Sequence, residues 1–216
     1  MKRANDDAQK SQRRDEILNQ AATLLAKRDF EAVTLSEVAG NLGLVKGTLY
    51  RYFPTKEVLV LEVLERELQL WLTDLSGALL PGELGVQTLV DHLTQSLGAR
   101  PLLVRLFSIV HVQLEKHLSL ERLVEFKKST ALVMNRAASL IEAASPPLAG
   151  KGTNAVLALY ELAIGVGHVT ERSPLVEQAL TDPVLEVFRL EFVPALRESL
   201  LWTFTGLAAT GSSGSK

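Results

Sequence analysis

The chain's 216 residues carry 23 Lys and Arg against 25 Asp and Glu, a formal net charge of −2, and are 47% hydrophobic but only 6% aromatic, enough apolar side chain for one large domain or two small ones. With no Cys, a disulfide framework and a thiolate metal site are excluded, in keeping with a cytoplasmic protein. The opening MKRANDDAQKSQRRDE lacks the apolar run of a secretory signal, and the longest apolar stretches, broken at Arg105 and Glu161, fall short of the ~20 residues that span a bilayer, so no membrane partner is expected.

About nine helices and no strands are predicted, an all-α chain. Ile17, Ala21, Leu24 and Leu25 share one face of a helix over about 12–28, and Phe30 follows to close a small three-helix core. Ahead of it Lys2, Arg3, Lys10, Arg13 and Arg14 suit a flexible basic arm or, because Asp6, Asp7 and Asp15 dilute the charge, a solubilising leader. The next two helices, about 35–42 and 46–52, are short. Thr34 and Glu37 form a capping box for the first, and Leu35, Val38, Ala39 and Leu42 make its inner face. Gly43 suits a left-handed turn, and Leu44, Leu49 and Phe53 pack inward from the second. Its outer face keeps Lys46, Gly47, Thr48, Tyr50, Arg51 and Tyr52, a set rich in donors, before Pro54 stops it. Thr55 caps the following helix, which puts Lys56 in a first turn whose free N–H groups suit a phosphate.

The run TLSEVAGNLGLVKGTLYRYFPTK, with its flanking helices over about 13–76, resembles the DNA-binding domain of the TetR family of bacterial transcriptional regulators. The resemblance implies an N-terminal helix-turn-helix domain and a larger helical domain for effector binding and dimerisation. It also implies that Thr34, Lys46, Gly47, Thr48, Tyr50, Arg51, Tyr52 and Lys56 lie at the double-stranded DNA, the tyrosine hydroxyls and lysines on phosphates and Gly47 and Thr48 near bases. Val45 departs from the Ser or Thr common in the family, which removes a phosphate hydrogen bond or cap. Charge is segregated accordingly: residues 1–56 hold ten cationic against seven acidic side chains, and the remainder thirteen against eighteen. A basic end and an acidic body orient such a molecule toward phosphates.

A long helix over about 56–78 carries Leu59, Val63, Leu64, Leu68, Trp71 and Leu75 and, at about 33 Å, joins the two parts as a lever. Further helices are expected at about 86–98, 101–117, 120–144, 153–172 and 184–205, giving domains 1–55 and 56–208 and a disordered Gly/Ser-rich tail over 209–216. Trp71, Leu75, Leu93, Leu97, Phe107, His111, Leu114 and Met134 suit one apolar effector cavity with His111 as its polar handle, although such stripes also serve ordinary cores. The last two helices read as a homodimer interface: Ile164, Gly165, Gly167 and His168 on one, and Leu185, Phe188, Phe192, Leu196 and Leu200 on the other, unless these face the monomer's own core.

An enzyme, a metal and a cofactor are not expected. His92, His111, His117 and His168 lack paired ligand spacing, and Gly150-Lys151-Gly152-Thr153 lacks the upstream glycine and strand of a phosphate loop. The reading is a DNA-binding regulator, a dimeric repressor of a near-palindromic operator released by a small hydrophobic effector. The alternative is a helical DNA-binding or adaptor protein without one.

Overall fold

The computed structural model describes residues 2–82 and 84–210, with side chains from Ala8 onward. Ten α-helices and no strand occur among the described residues: α1 (Lys2–Leu25), α2 (Leu35–Asn41), α3 (Lys46–Tyr52), α4 (Lys56–Ala78), α5 (Val86–Gly98), α6 (Pro101–Ile109), α7 (Leu120–Ala144), α8 (Gly152–Thr170), α9 (Pro174–Ala179) and α10 (Phe192–Ala209). The all-α expectation holds, and most boundaries lie where the caps placed them. Thr55 accepts from Val58 N at 3.2 Å to start α4, Ser119 from Arg122 N at 3.3 Å to start α7, and Pro101 occupies the first turn of α6.

Two boundaries differ from expectation. Helix α1 runs from Lys2 rather than from about residue 12, so the segment read as a flexible arm continues the helix; no Pro or Gly interrupts residues 2–25. The side chains of Lys2 and Arg3, and residues 211–216 of the expected tail, lie outside the described residues. The helix expected over 184–205 is divided: α9 and a 3-10 turn (Pro183–Phe188) precede α10, which begins only at Phe192. Pro194 explains this. A helix interior at that point would drive the proline ring into the carbonyl of Leu190, whereas in a first turn its missing N–H has no partner to lose.

One apolar core runs from Ile17 to Phe204. Helix α4 is its axis: it packs against α1 of the N-terminal bundle and against α5, α6 and α7 of the larger body, with Leu59, Leu61, Leu68, Trp71 and Leu75 buried along it. Helix α8 packs on α6, α7 and α10, and α10 on α5. Close approach is built in at Gly152, where a Cβ would lie 2.4 Å from the Ala138 carbonyl, and at Gly167, where it would lie 2.6 Å from Val104 Cγ1. Gly167 therefore serves the contact of α8 with α6 in the same chain, not a partner surface. Lys151, next to Gly152, donates to the Leu207 and Ala208 carbonyls at 2.6 and 3.0 Å and so closes the C-terminal end of α10.

The expected interface residues divide in the same way. Leu196 and Leu200 are fully buried in the monomer's own core, against the expectation that they form an outer stripe. The separate 3-10 turn carries Phe188 away from that stripe, 62% exposed. Phe192 is half-buried near Gly167, Ile164 is half-buried, and His168 is exposed.

Candidate nucleic-acid interface and ligand cavity

The N-terminal bundle forms a helix-turn-helix for local reasons. Thr34 accepts from Glu37 N at 3.2 Å, and Gly43 turns the chain at φ +64° between α2 and α3. Only half of the expected capping box is formed, because the Glu37 carboxylate pairs with Arg28 instead of returning to the cap. Leu35, Val38, Ala39, Leu49 and Phe53 are buried. That packing turns Lys46, Gly47, Tyr50 and Arg51 outward, with Thr34 exposed and Thr48 and Tyr52 half-exposed. Lys46 Nζ lies 5.6 Å from the Tyr50 ring centroid, and Tyr50 is 42% exposed. At Val45 the N-cap of α3 has no side-chain hydrogen bond, so its first-turn N–H groups are unclaimed by a cap.

Two cations have partners within the chain. Lys56 donates from Nζ to the Phe30 carbonyl at 2.9 Å and stands 3.9 Å from the Phe30 ring centroid, tying the loop after α1 to α4. Arg14, counted with the arm, binds Glu62 of α4 at 2.5 Å and covers the Phe53 ring at 4.7 Å. Burial raises the Glu62 pKa, with Arg14 opposing that shift. What remains open near Tyr52 is a polar cleft lined by Lys10, Gln12 and Arg13 of α1.

In the body, a cavity of about 220 Å³ lies between α4, α6, α7 and α8. Five expected residues line it, namely Trp71, Leu97, Phe107, His111 and Met134. Leu75, Leu93 and Leu114 do not; each is fully buried as packing. Their helical spacing could not separate a lining face from a core face, because both are apolar. Missed were Phe126, Lys127 and Thr130 on α7 and Tyr160 on α8. Tyr160 had one available signal: of three tyrosines it alone lies outside the helix-turn-helix.

The polar end of the cavity is one connected group. Tyr160 Oη is 2.6 Å from His111 Nε2, His111 Nδ1 is 3.0 Å from Glu115 Oε1, and Lys127 Nζ is 2.5 Å from the same oxygen. Phe107 meets Tyr160 edge to face at 5.1 Å and fixes its ring. His111 sits in a π turn (Val110–Leu114) that continues α6. One extra residue in that turn re-aims the side chains, as such turns often do at functional sites.

The family model described as "Bacterial regulatory proteins, tetR family" matches residues 17–63, and that described as "Tetracyclin repressor-like, C-terminal domain" matches residues 65–211. The chain belongs to the TetR family. Among relatives, it is 44% identical over 61 residues to the HTH-type transcriptional repressor KstR2 of Rhodococcus jostii, covering 28% of this chain and 30% of that protein. It is 35% identical over 102 residues to the repressor KstR of the same organism, covering 46% and 47%. The alignments thus span less than half the length of these relatives, and they are similarities to this TetR-family chain rather than identities. A TetR transcriptional regulator from Rhodococcus sp. RHA1 shares the fold at TM-score 0.58 and 21% identity, over 94% of this chain and 98% of that one. The fatty acid degradation regulator FadR from Bacillus halodurans does so at 0.52 and 16%, over 87% and 94%.

In this TetR-family chain, head and body are joined by directed side-chain bonds as well as by α4. Arg105 of α6 donates to the Leu25 carbonyl at 3.0 Å and pairs with Asp29 at 2.9 Å and with Glu171 at 3.0 Å. Gln113, in the π turn, donates to Glu31 at 2.6 Å. Among the described residues no group of three or more His, Cys, Asp or Glu is placed to hold a metal ion, and no single helix is long and apolar enough to cross a membrane.

Proposed function

We propose that this protein is a ligand-responsive transcriptional repressor that binds a near-palindromic operator as a homodimer and is released by a small hydrophobic effector. The observation that carries the reading is one chain holding both a helix-turn-helix with an exposed donor face and a mainly apolar cavity of about 220 Å³, joined through the π turn that bears both His111 and Gln113. Lys46, Tyr50, Arg51 and Tyr52 reach phosphates, with Lys10 and Arg13 adding charge beside Tyr52, while Gly47 and Thr48 approach base edges. Similarity to proteins named as the transcriptional repressors KstR2 and KstR supports this reading.

Dimerisation is supported by apolar surface the monomer leaves exposed. Leu157 of α8, which also borders the cavity and lies on the same stripe as Ile164 and His168, and Trp202 of α10, 68% exposed, leave apolar surface on two helices already packed together. Leu175, Val184, Val187 and Phe188 extend that surface along the segment between them. Two recognition helices then read half-sites about 34–36 Å apart. An effector that fits one setting of the heads better than the other lowers operator affinity by that difference.

The test is selection of the purified protein against a random duplex library at two salt concentrations. Enrichment of a near-palindrome with steep salt dependence is the expected result. Absence of enrichment turns the reading to an adaptor without operator specificity.

A further inference from the structure

The hydrogen-bond chain at the polar end of the cavity has a direction. Burial raises the Glu115 pKa, but hydrogen bonds from Lys127 and His111 outweigh that and hold it below the usual value, so the group is a carboxylate. A carboxylate only accepts; Nδ1 of His111 therefore carries the ring proton, and in the neutral ring Nε2 is a bare acceptor. The Tyr160 hydroxyl, 2.6 Å away, donates to it. Its oxygen is left with lone pairs and no proton to give. Burial, with the Glu115 charge, pushes the Tyr160 pKa up to about 12, which keeps the phenol intact.

On α7, which also lines the cavity, Thr130 Oγ1 is buried with no hydrogen-bond partner among the described residues. Several threonines in other helices return their hydroxyl to the preceding turn, as Thr94 does to the Val90 carbonyl at 2.9 Å and Thr170 to the Val166 carbonyl at 2.7 Å. Thr130 makes no such bond. The cavity therefore presents one acceptor that cannot donate and one hydroxyl that is free to do either, within walls made otherwise of apolar side chains, His111, and Lys127, whose ammonium bonds Glu115.

Building on the cavity's reading as the effector site, we propose that its ligand is an uncharged, mainly apolar alcohol or phenol whose single hydroxyl donates to Tyr160 Oη and accepts from Thr130 Oγ1. A carboxylate end would meet the Tyr160 lone pairs and the Glu115 charge, and an ammonium would compete with Lys127 for Glu115. The volume of about 220 Å³ exceeds the ~150 Å³ that holds a benzene ring and suits a body of roughly a dozen non-hydrogen atoms.

Isothermal titration of the full chain with phenylpropanol, phenylpropanoate, phenylpropylamine and propylbenzene tests this, because the four share one body and differ at one end. Phenylpropanol is expected to bind about tenfold more tightly than propylbenzene and more tightly than either ion. Thr130→Val and Tyr160→Phe should each remove most of that preference for phenylpropanol over propylbenzene. Melting curves without ligand report whether each variant folds, and if either does not, the four-ligand comparison on the unaltered chain decides. Equal binding of phenylpropanol and propylbenzene, or tightest binding of an ion, overturns the hydroxyl assignment and leaves an apolar effector site standing. Binding by none of the four overturns both readings.

Discussion

Gln113 donates from Nε2 to Glu31 Oε1 at 2.6 Å, two residues from the His111 that closes the polar end of the cavity. The same π turn thus touches the cavity on one side and the loop behind α1 on the other, and Arg105, one helical turn or so earlier on α6, holds that loop through Leu25 and Asp29. Such a turn can adopt discrete settings, which makes it a physical carrier between cavity and head.

Arg105→Ala should loosen the loop over residues 26–33. The lost bonds are partly exposed, so global stability should fall by only about 1 kcal/mol. Amide exchange in that loop should nevertheless accelerate markedly, and Gln113→Ala should act in the same direction more weakly. Unchanged exchange in both variants would show that α4 alone couples the two parts.

In the head, Lys46→Ala should weaken binding to every duplex and reduce the salt slope by about one phosphate contact, whereas Thr48→Ala should change which sequence is preferred. Titrations of selected and scrambled duplexes over a salt series distinguish the two behaviours. Equal loss on all duplexes for both variants would sink the division between phosphate and base contacts.

Glycine substitutions separate backbone strain from steric clash. At Gly43 an added Cβ meets nothing but must accept φ +64°, so Gly43→Ala should cost about 1–2 kcal/mol. At Gly152 the Cβ would lie 2.4 Å from a backbone carbonyl, so Gly152→Ala should cost more, separating α7 from α8. Denaturant midpoints at constant slope rank the pair.

For the surface proposed as the dimer interface, Trp202→Glu or Leu157→Glu should yield folded monomers by sedimentation. Leu196→Ala, by contrast, empties a fully buried site and should cost about 2–5 kcal/mol of stability. A dimer that survives both Glu substitutions would move the interface elsewhere.

The pH dependence follows from Glu115, whose folded pKa lies below the ordinary 4.5. A depressed carboxyl pKa contributes stability that is present above the unfolded value and lost as pH falls through the folded one. The stability difference between the unaltered chain and Glu115→Gln should therefore be constant at neutral pH and shrink below about pH 4.5. Tyr160, pushed up to about 12, should stay protonated across that range and appear in alkaline absorbance titration as a late phase that is absent in Tyr160→Phe.

The helix-turn-helix was legible because every device that makes it is local. Thr34, Gly43 and Pro54 act within a few residues of themselves, and the inward positions Val38, Leu49 and Phe53 follow helical spacing. The intramolecular partners of Lys56 and Arg14 were not legible because Phe30 and Glu62 lie 26 and 48 residues away, and a cation's partner is not written in its neighbourhood. The division of the last helix was written at Pro194 but was overruled in the reading by the apolar spacing of Phe188, Phe192 and Leu196.

Residue order alone determined the all-α class, the head and its outward donor face, since caps, turns and helical periodicity are properties of short stretches. Tertiary structure alone decided which apolar positions became cavity and which became core. Leu75 and Phe107 look alike along their helices, but whether a side chain fills space or borders it depends on where three other helices stop. The same holds for the Tyr160–His111–Glu115 chain, assembled from residues on different elements by the packing of α8 against α6.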